Sequence, residues 1–151
     1  MSDSATPRPD QDPFRPFRSR RGRVVATTLA VVSLVIFGGL AVFLPGSTPT
    51  DSTLIVVLGV AIAFACYRYA TISAVPDRGG LVVRNLVTTR RLEWAQVLRV
   101  QFDDGAPWVT LELDDTEQVA VMAVQRADGP SSRDEAGRLA ALVQALGEAR
   151  A

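Results

Sequence analysis

The residues that come closest to a chemical set are two pairs of adjacent carboxylates, Asp103-Asp104 and Asp114-Asp115, and four arginines, Arg78, Arg84, Arg90 and Arg91. Paired carboxylates can hold hard cations or act as general acid and base. Both pairs fall between alternating apolar runs, beside Gly105 and Thr116, and read as solvated turn formers. No Gly-rich phosphate loop or nucleophile elbow accompanies them. The chain has no histidine, which removes imidazole acid–base catalysis. Its single cysteine, Cys66, leaves no intrachain disulfide and no Cys/His metal centre. Cys66 sits inside an apolar run. Lipidation or thiol reactivity competes there with the simpler reading, a small apolar residue of a membrane helix. The expectation is a protein without enzyme activity, cofactor or metal.

The arginines suggest binding instead. Arg84, Arg90 and Arg91 are close in sequence, with Arg78 nearby, and a tight turn would gather them. Beside a membrane such a group can grip lipid phosphates. In strand order Arg90 and Arg91 point to opposite faces, so a solvated sheet face is the competing reading. Trp108 completes the set of candidate lipid or partner contacts, with core packing as its alternative; Trp94 reads as a core anchor.

Two uncharged runs decide where such groups would act. Val24–Leu44 has 21 residues without charge and Ser52–Tyr67 has 16. The first run would extend about 32 Å as a helix, enough to cross a hydrocarbon core. The second reaches a similar span if it runs from Ser52 to Tyr69, with Arg68 snorkelling to the headgroups. Pro45, Gly46 and Pro49 mark the turn between them, and Asp51 or Ser52 can cap the second helix. Residues 24–69 therefore read as a transmembrane hairpin of two spans, 24–44 and 52–69. Neither span holds Asp, Glu or His, so an anchor fits better than a transport path. Gly38, Gly39 and Gly59 can let the two helices approach closely. A cleaved signal peptide fits poorly, because the first run is too long and no A-x-A pattern follows it.

Six arginines precede the first run, none lies between the runs, and they resume at Arg68. That asymmetry predicts that both termini face the cytoplasm across the plasma membrane, with the Pro45–Asp51 loop outside. Residues 1–23, rich in proline and arginine, read as a disordered arm with only Phe14 and Phe17 as large apolar groups. The aromatic–arginine stretch Phe14–Arg18 would either touch anionic headgroups or simply fix topology. Neither end is basic enough for a nucleic-acid binder: from Arg78 onward nine arginines meet eleven acids.

From residue 70 to 151 the period shifts to two. Strands are expected at Ala70–Val75, Leu81–Asn85, Thr88–Trp94, Gln96–Phe102, Trp108–Leu113 and Gln118–Val124. Leu98, Val100 and Phe102 would share a face, as would Val109, Leu111 and Leu113, and Val119, Val121 and Ala123. Met122 reads as core filler, and Gln125 and Asp128 as partners for backbone groups at the strand-to-helix corner. After Gly129-Pro130, Ser132 and Glu135 form a capping-box pattern, and Ala136, Leu139, Ala140, Val143 and Leu146 form one helical face. The fold class is a membrane α-hairpin followed by a small α+β, PH-like domain: an antiparallel sheet of about six strands capped by a C-terminal helix.

Four stretches carry a family resemblance: Gly80-Leu81-Val82-Val83-Arg84-Asn85; Trp94-x-x-Val97; Phe102-x-x-Gly105-x-Pro107-Trp108; and Val121-Met122-Ala123-Val124-Gln125-x-Ala127-Asp128-Gly129. In these the chain resembles the actinobacterial PH-domain membrane proteins of the low-molecular-weight protein antigen 6 type. The resemblance implies a membrane location and an interaction role, and brings no catalytic residues. The expected function is a membrane-anchored interaction module that recruits or organises a membrane or envelope protein complex. Binding of anionic lipid headgroups is the alternative, and an enzyme the least supported. Partners are the lipid bilayer and a protein, with self-association through open sheet edges a further possibility and nucleic acid excluded.

Overall fold

A computed structural model describes residues 12–147. They fall into two compact units: Arg20–Ile72, and the rest, which joins the segment before Arg20 to everything from Ser73 onward.

The first unit is a pair of helices, α1 (Arg20–Phe43) and α2 (Pro49–Ala70). Both are long and apolar enough to cross a membrane, and most of their large apolar side chains face outward. They approach where side chains are small. Ala26, Ser33 and Gly59 are buried, and Ser33 Oγ donates to the Gly59 carbonyl at 3.2 Å. A Cβ on Gly59 would lie 2.5 Å from Phe37 Cβ, so glycine sets that approach. Gly38 and Gly39 play no such part, since a Cβ on either meets nothing within 4 Å. The cap of α2 is Thr48, not Asp51 or Ser52. Its side chain accepts from Asp51 N while Asp51 accepts from Thr48 N, and Pro49 opens the helix.

The second unit holds six short strands and a helix. Strands β1 (Ser73–Pro76), β2 (Gly80–Arg84) and β3 (Thr89–Glu93) form one antiparallel sheet; β4 (Val97–Gln101), β5 (Trp108–Leu113) and β6 (Gln118–Gln125) form another. Helix α3 (Ser131–Gly147) follows. The expected meander is thus two three-stranded sheets. A 3-10 turn, Trp94–Gln96, separates β3 from β4 and drives the fully buried Trp94 into the core, where its Nε1 donates to the Asp77 carbonyl at 2.8 Å. Core side chains come from both sheets and the helix, including Leu81, Val83, Leu111, Val121 and Leu139.

The expected rows on β5 and β6 are buried as read. The row on β4 is not. A bulge between Val97 and Arg99 shifts the register, so Val97 is buried and Leu98 is 64% exposed. β1 also begins later than expected, because α2 runs on to Ala70. On α3, Leu142 joins the buried face. The capping box does not form: Ser132 Oγ donates to the Gly129 carbonyl, and the Glu135 carboxylate turns to Arg138 and Arg15.

Gly80 is the tightest point in the sheet. A Cβ there would sit 2.1 Å from the Leu92 carbonyl oxygen, which belongs to the neighbouring strand. Gly80→Ala must push β2 and β3 apart, and is expected to cost about 1–3 kcal/mol. The readout is a lowered Tm of the intact protein in detergent. Gly137→Ala, whose added methyl meets nothing within 4 Å, is the control and should leave Tm unchanged or raise it.

Candidate functional site

The N-terminal segment lies between the free edge of β1 and helix α3. Phe17 pairs with Ala74 across the free edge of β1: Phe17 N donates to Ala74 O at 2.7 Å, and Ala74 N to Phe17 O at 3.0 Å. The Phe17 ring is 1% exposed. This corrects the reading of residues 1–23 as a disordered arm for the part that is described; residues 1–11 lie outside the described residues. One buried aromatic and two backbone hydrogen bonds hold Phe17 to β1, which a polar composition does not reveal.

Helix α3 closes over this segment. The Arg138 guanidinium lies 3.7 Å from the Phe17 ring centroid. It also donates to the carbonyls of Arg15 (2.8 Å) and Pro13 (3.0 Å), and pairs with Glu135 at 2.6 Å. Arg15 in turn reaches Glu135. Ser19 Oγ donates to Asp128 Oδ1 at 2.8 Å. A planar cation thus satisfies carbonyls, a carboxylate and a ring face together, which suits arginine and not lysine. Arg138 is not part of the apolar row expected on α3, and nothing close in sequence identifies its partner. Phe17 was the available signal, as a large aromatic isolated in a polar arm.

The expected arginine cluster is divided. Core-facing Leu81 and Val83 on β2 alternate with outward Val82 and Arg84. Register places Arg91 opposite Val82, Arg90 opposite Val83 and Thr89 opposite Arg84. Arg84 and Arg91 therefore share the outer face, and Arg90 lies on the other. Arg90 pairs with Glu117, whose hydrogen bond and then charge raise the guanidinium further above its ordinary value. Arg91 lies 3.7 Å from Asp77, and Arg78 is exposed in the turn between β1 and β2, at the far end of the sheet from Arg84. Trp108 is half-buried at the bulged start of β5. No single pocket collects these five residues.

A second feature was not foreseen. Asn85, just past β2, braces the other sheet: its Nδ2 donates to the Ala120 carbonyl at 2.7 Å and its Oδ1 accepts from Met122 N at 3.3 Å. Met122 is half-exposed beside it and lines a groove of about 420 Å³ with Leu86, Val87 and Val119, instead of filling the core. Gln125 does serve the corner, donating to the Met122 carbonyl, whereas Asp128 accepts from Ser19.

The carboxylate pairs act as turn residues. Asp115 accepts from Glu117 N, and Asp104 lies within 3.6 Å of Arg126 and 3.8 Å of Arg133. Among the described residues, no three His, Cys, Asp or Glu side chains gather as a metal site would require.

Removing the Phe17 ring should destabilise a unit whose other strands begin only at Ser73. Phe17→Ala is expected to cost about 3–5 kcal/mol, the range for truncating a buried aromatic. Arg138→Ala should cost less in the Phe17→Ala background than alone, since the stacked pair is then already broken. Thermal unfolding of the four proteins of this cycle, intact and in detergent, gives both numbers. An unchanged Tm in Phe17→Ala would mean the segment is not part of the fold.

Residues 75–142 match the family model described as bacterial PH domain. An uncharacterized protein of Mycobacterium tuberculosis and one of Mycobacterium bovis are each 37% identical over 71 residues, 47% of this chain and 46% of the relative. The match therefore spans about half the length of those curated relatives. No solved structure matches significantly. The six strands and the C-terminal helix fit this match: residues 75–142 match a bacterial PH domain, with actinobacterial relatives, on a chain that also has two helices able to span a membrane.

Proposed function

We propose that this chain is a non-catalytic interaction module, tethered by its helical hairpin to the cytoplasmic face of the plasma membrane, whose PH-like domain recruits or organises a membrane or envelope protein complex. The Phe17–Ala74 pair carries the reading of topology. Two segments that flank both helices share backbone hydrogen bonds, which supports placing them in one compartment. With two spans between them, that matches the arginine-rich flanks, which favour the cytoplasm.

The strand edges that remain open support one position for the partner surface. The edge of β1 is taken by Phe17, and that of β6 is braced by Asn85. Strands β3 and β4 are the remaining terminal strands of their sheets. They present Arg91, Glu93 and the 64% exposed Leu98. An extended peptide added to such an edge gains main-chain hydrogen bonds and side-chain specificity together. The alternative, a phosphate-gripping arginine pocket, is less favoured because Arg90 and Arg91 are engaged by Glu117 and Asp77.

The test is photo-cross-linking from position 93 of the intact tagged protein in native membranes. A single recurrent protein is expected, lost in Leu98→Arg while Tm holds. Recovery of lipid alone would remove the adaptor role. Labelling of Ser47→Cys and Asp114→Cys, each in a Cys66→Ala background, checks the topology: position 47 should react in intact cells and position 114 only after the membrane is opened.

A further inference from the structure

We propose that β1 and α3 form a binding site for an extended strand of the pattern basic-x-aromatic-x-serine, and that the strand taken from outside is Arg15–Ser19 of a second copy of this chain. Phe17 is then a residue that one copy donates to the core of another.

The pattern follows from how the chain's own segment is held. Residues two apart on an extended strand share a side. Arg15, Phe17 and Ser19 have that spacing, and each meets a group on α3 or just before it. Arg15 reaches the Glu135 carboxylate. The Phe17 ring is buried under the Arg138 guanidinium. Ser19 Oγ donates to Asp128 Oδ1 at 2.8 Å. Pro16 and Arg18, between them, are exposed. The backbone adds the two hydrogen bonds to Ala74, and the Pro13 and Arg15 carbonyls accept from Arg138. A segment that only covered a strand edge would need the backbone bonds alone. Alternate side chains, each met by a complementary group, are how an added strand is read for its sequence. All of these groups lie in the compact unit that contains the sheets.

The hold is specific but short. Among the described residues one bridge joins the segment to β1, against four registered pairs between β1 and β2. The Arg15 side chain is 44% exposed at its ion pair, and exposed pairs hold little. The segment can therefore leave while the strand pairs of both sheets remain. In its own chain the bridge also closes a loop that contains both helices, which has an entropic cost. A second copy offers the same residues to the same groups without that closure, so concentration and not contacts sets the balance between the two. Exchange of an identical element is a low-cost route to association. The copy is the occupant because it carries the complete pattern, Arg15, Phe17 and Ser19, that Glu135, Arg138 and Asp128 already fit.

The test uses two intact chains with different tags, both Cys66→Ala. One carries Arg18→Cys and the other Ser73→Cys. Residues 18 and 73 stand opposite each other next to the Phe17–Ala74 pair, at a non-hydrogen-bonded position where Cα atoms approach to about 4.5 Å, close enough for a disulfide. The chains are mixed in detergent, reconstituted into phosphatidylcholine vesicles and mildly oxidised. A disulfide between the two tags is expected, in a yield that rises with the protein-to-lipid ratio. Phe17→Ala in the Arg18→Cys chain should lower that yield by more than about ten-fold. Phe17→Ala in the Ser73→Cys chain should not, because that chain's own segment then competes less. Glu135→Arg in the Ser73→Cys chain should lower the yield, and Arg15→Glu in the other chain should restore it. A disulfide that forms only when both cysteines are in one chain, at every ratio, overturns the second copy as the occupant. No disulfide in either arrangement overturns the bridge, and the site with it. A disulfide between tags that is indifferent to Phe17→Ala in the Arg18→Cys chain overturns recognition of the strand.

Discussion

The backbone pair between Phe17 and Ala74 couples two segments that the sequence separates by both apolar helices. Much else depends on it. It covers the edge of β1, brings Phe17 into the core, and gives Arg138 a ring to lie on and two carbonyls to hold. Joining ends so far apart in sequence would carry a large closure entropy in a flexible chain. A hairpin of two packed helices lowers that cost by keeping its own ends together.

Local pattern and non-local contact explain which features were legible. The uncharged runs, the alternation on β5 and β6, and the apolar face of α3 each follow from period and composition within one element, and they appear in the structure. What could not be read depended on partners distant in sequence. Glu135 fits a capping box by spacing, but Arg15 and Arg138 offer it full charges, which outweigh a backbone N–H. Leu98 fits an inward row, but the bulge between Val97 and Arg99 turns it outward while Val100 stays opposite the buried Leu111. Phe17 has no neighbours in its own segment that suggest burial; its partners lie on β1 and α3.

The same logic governs the arginines. Their closeness in sequence suggested one cluster, but a tight hairpin places them on two faces and at two ends of a sheet. Several are then used internally: Arg138 on the N-terminal segment, Arg126 over Phe102 and beside Asp104, Arg90 with Glu117. Exposed pairs of this kind stabilise little, about 0–1 kcal/mol each. They matter here because they remove charge from some surfaces and leave it on others. Among the described residues of the sheet unit, Arg18, Arg78, Arg84 and Arg99 are left without an ion pair, spread over several faces.

Chain order adds a temporal constraint. Phe17 is made before either helix, and its partners Ala74 and Arg138 only after both. Until then its ring has no core to enter. If the helices insert as a hairpin, both flanks stay on the side where synthesis occurs, and the segment is present when β1 forms. If α1 alone crossed the membrane, Phe17 and Ala74 would be in different compartments and the pair could not form. The sheet edge would then remain open, an edge prone to pairing with another chain. In the proposed two-span topology, the Phe17 segment and β1 therefore meet on one side.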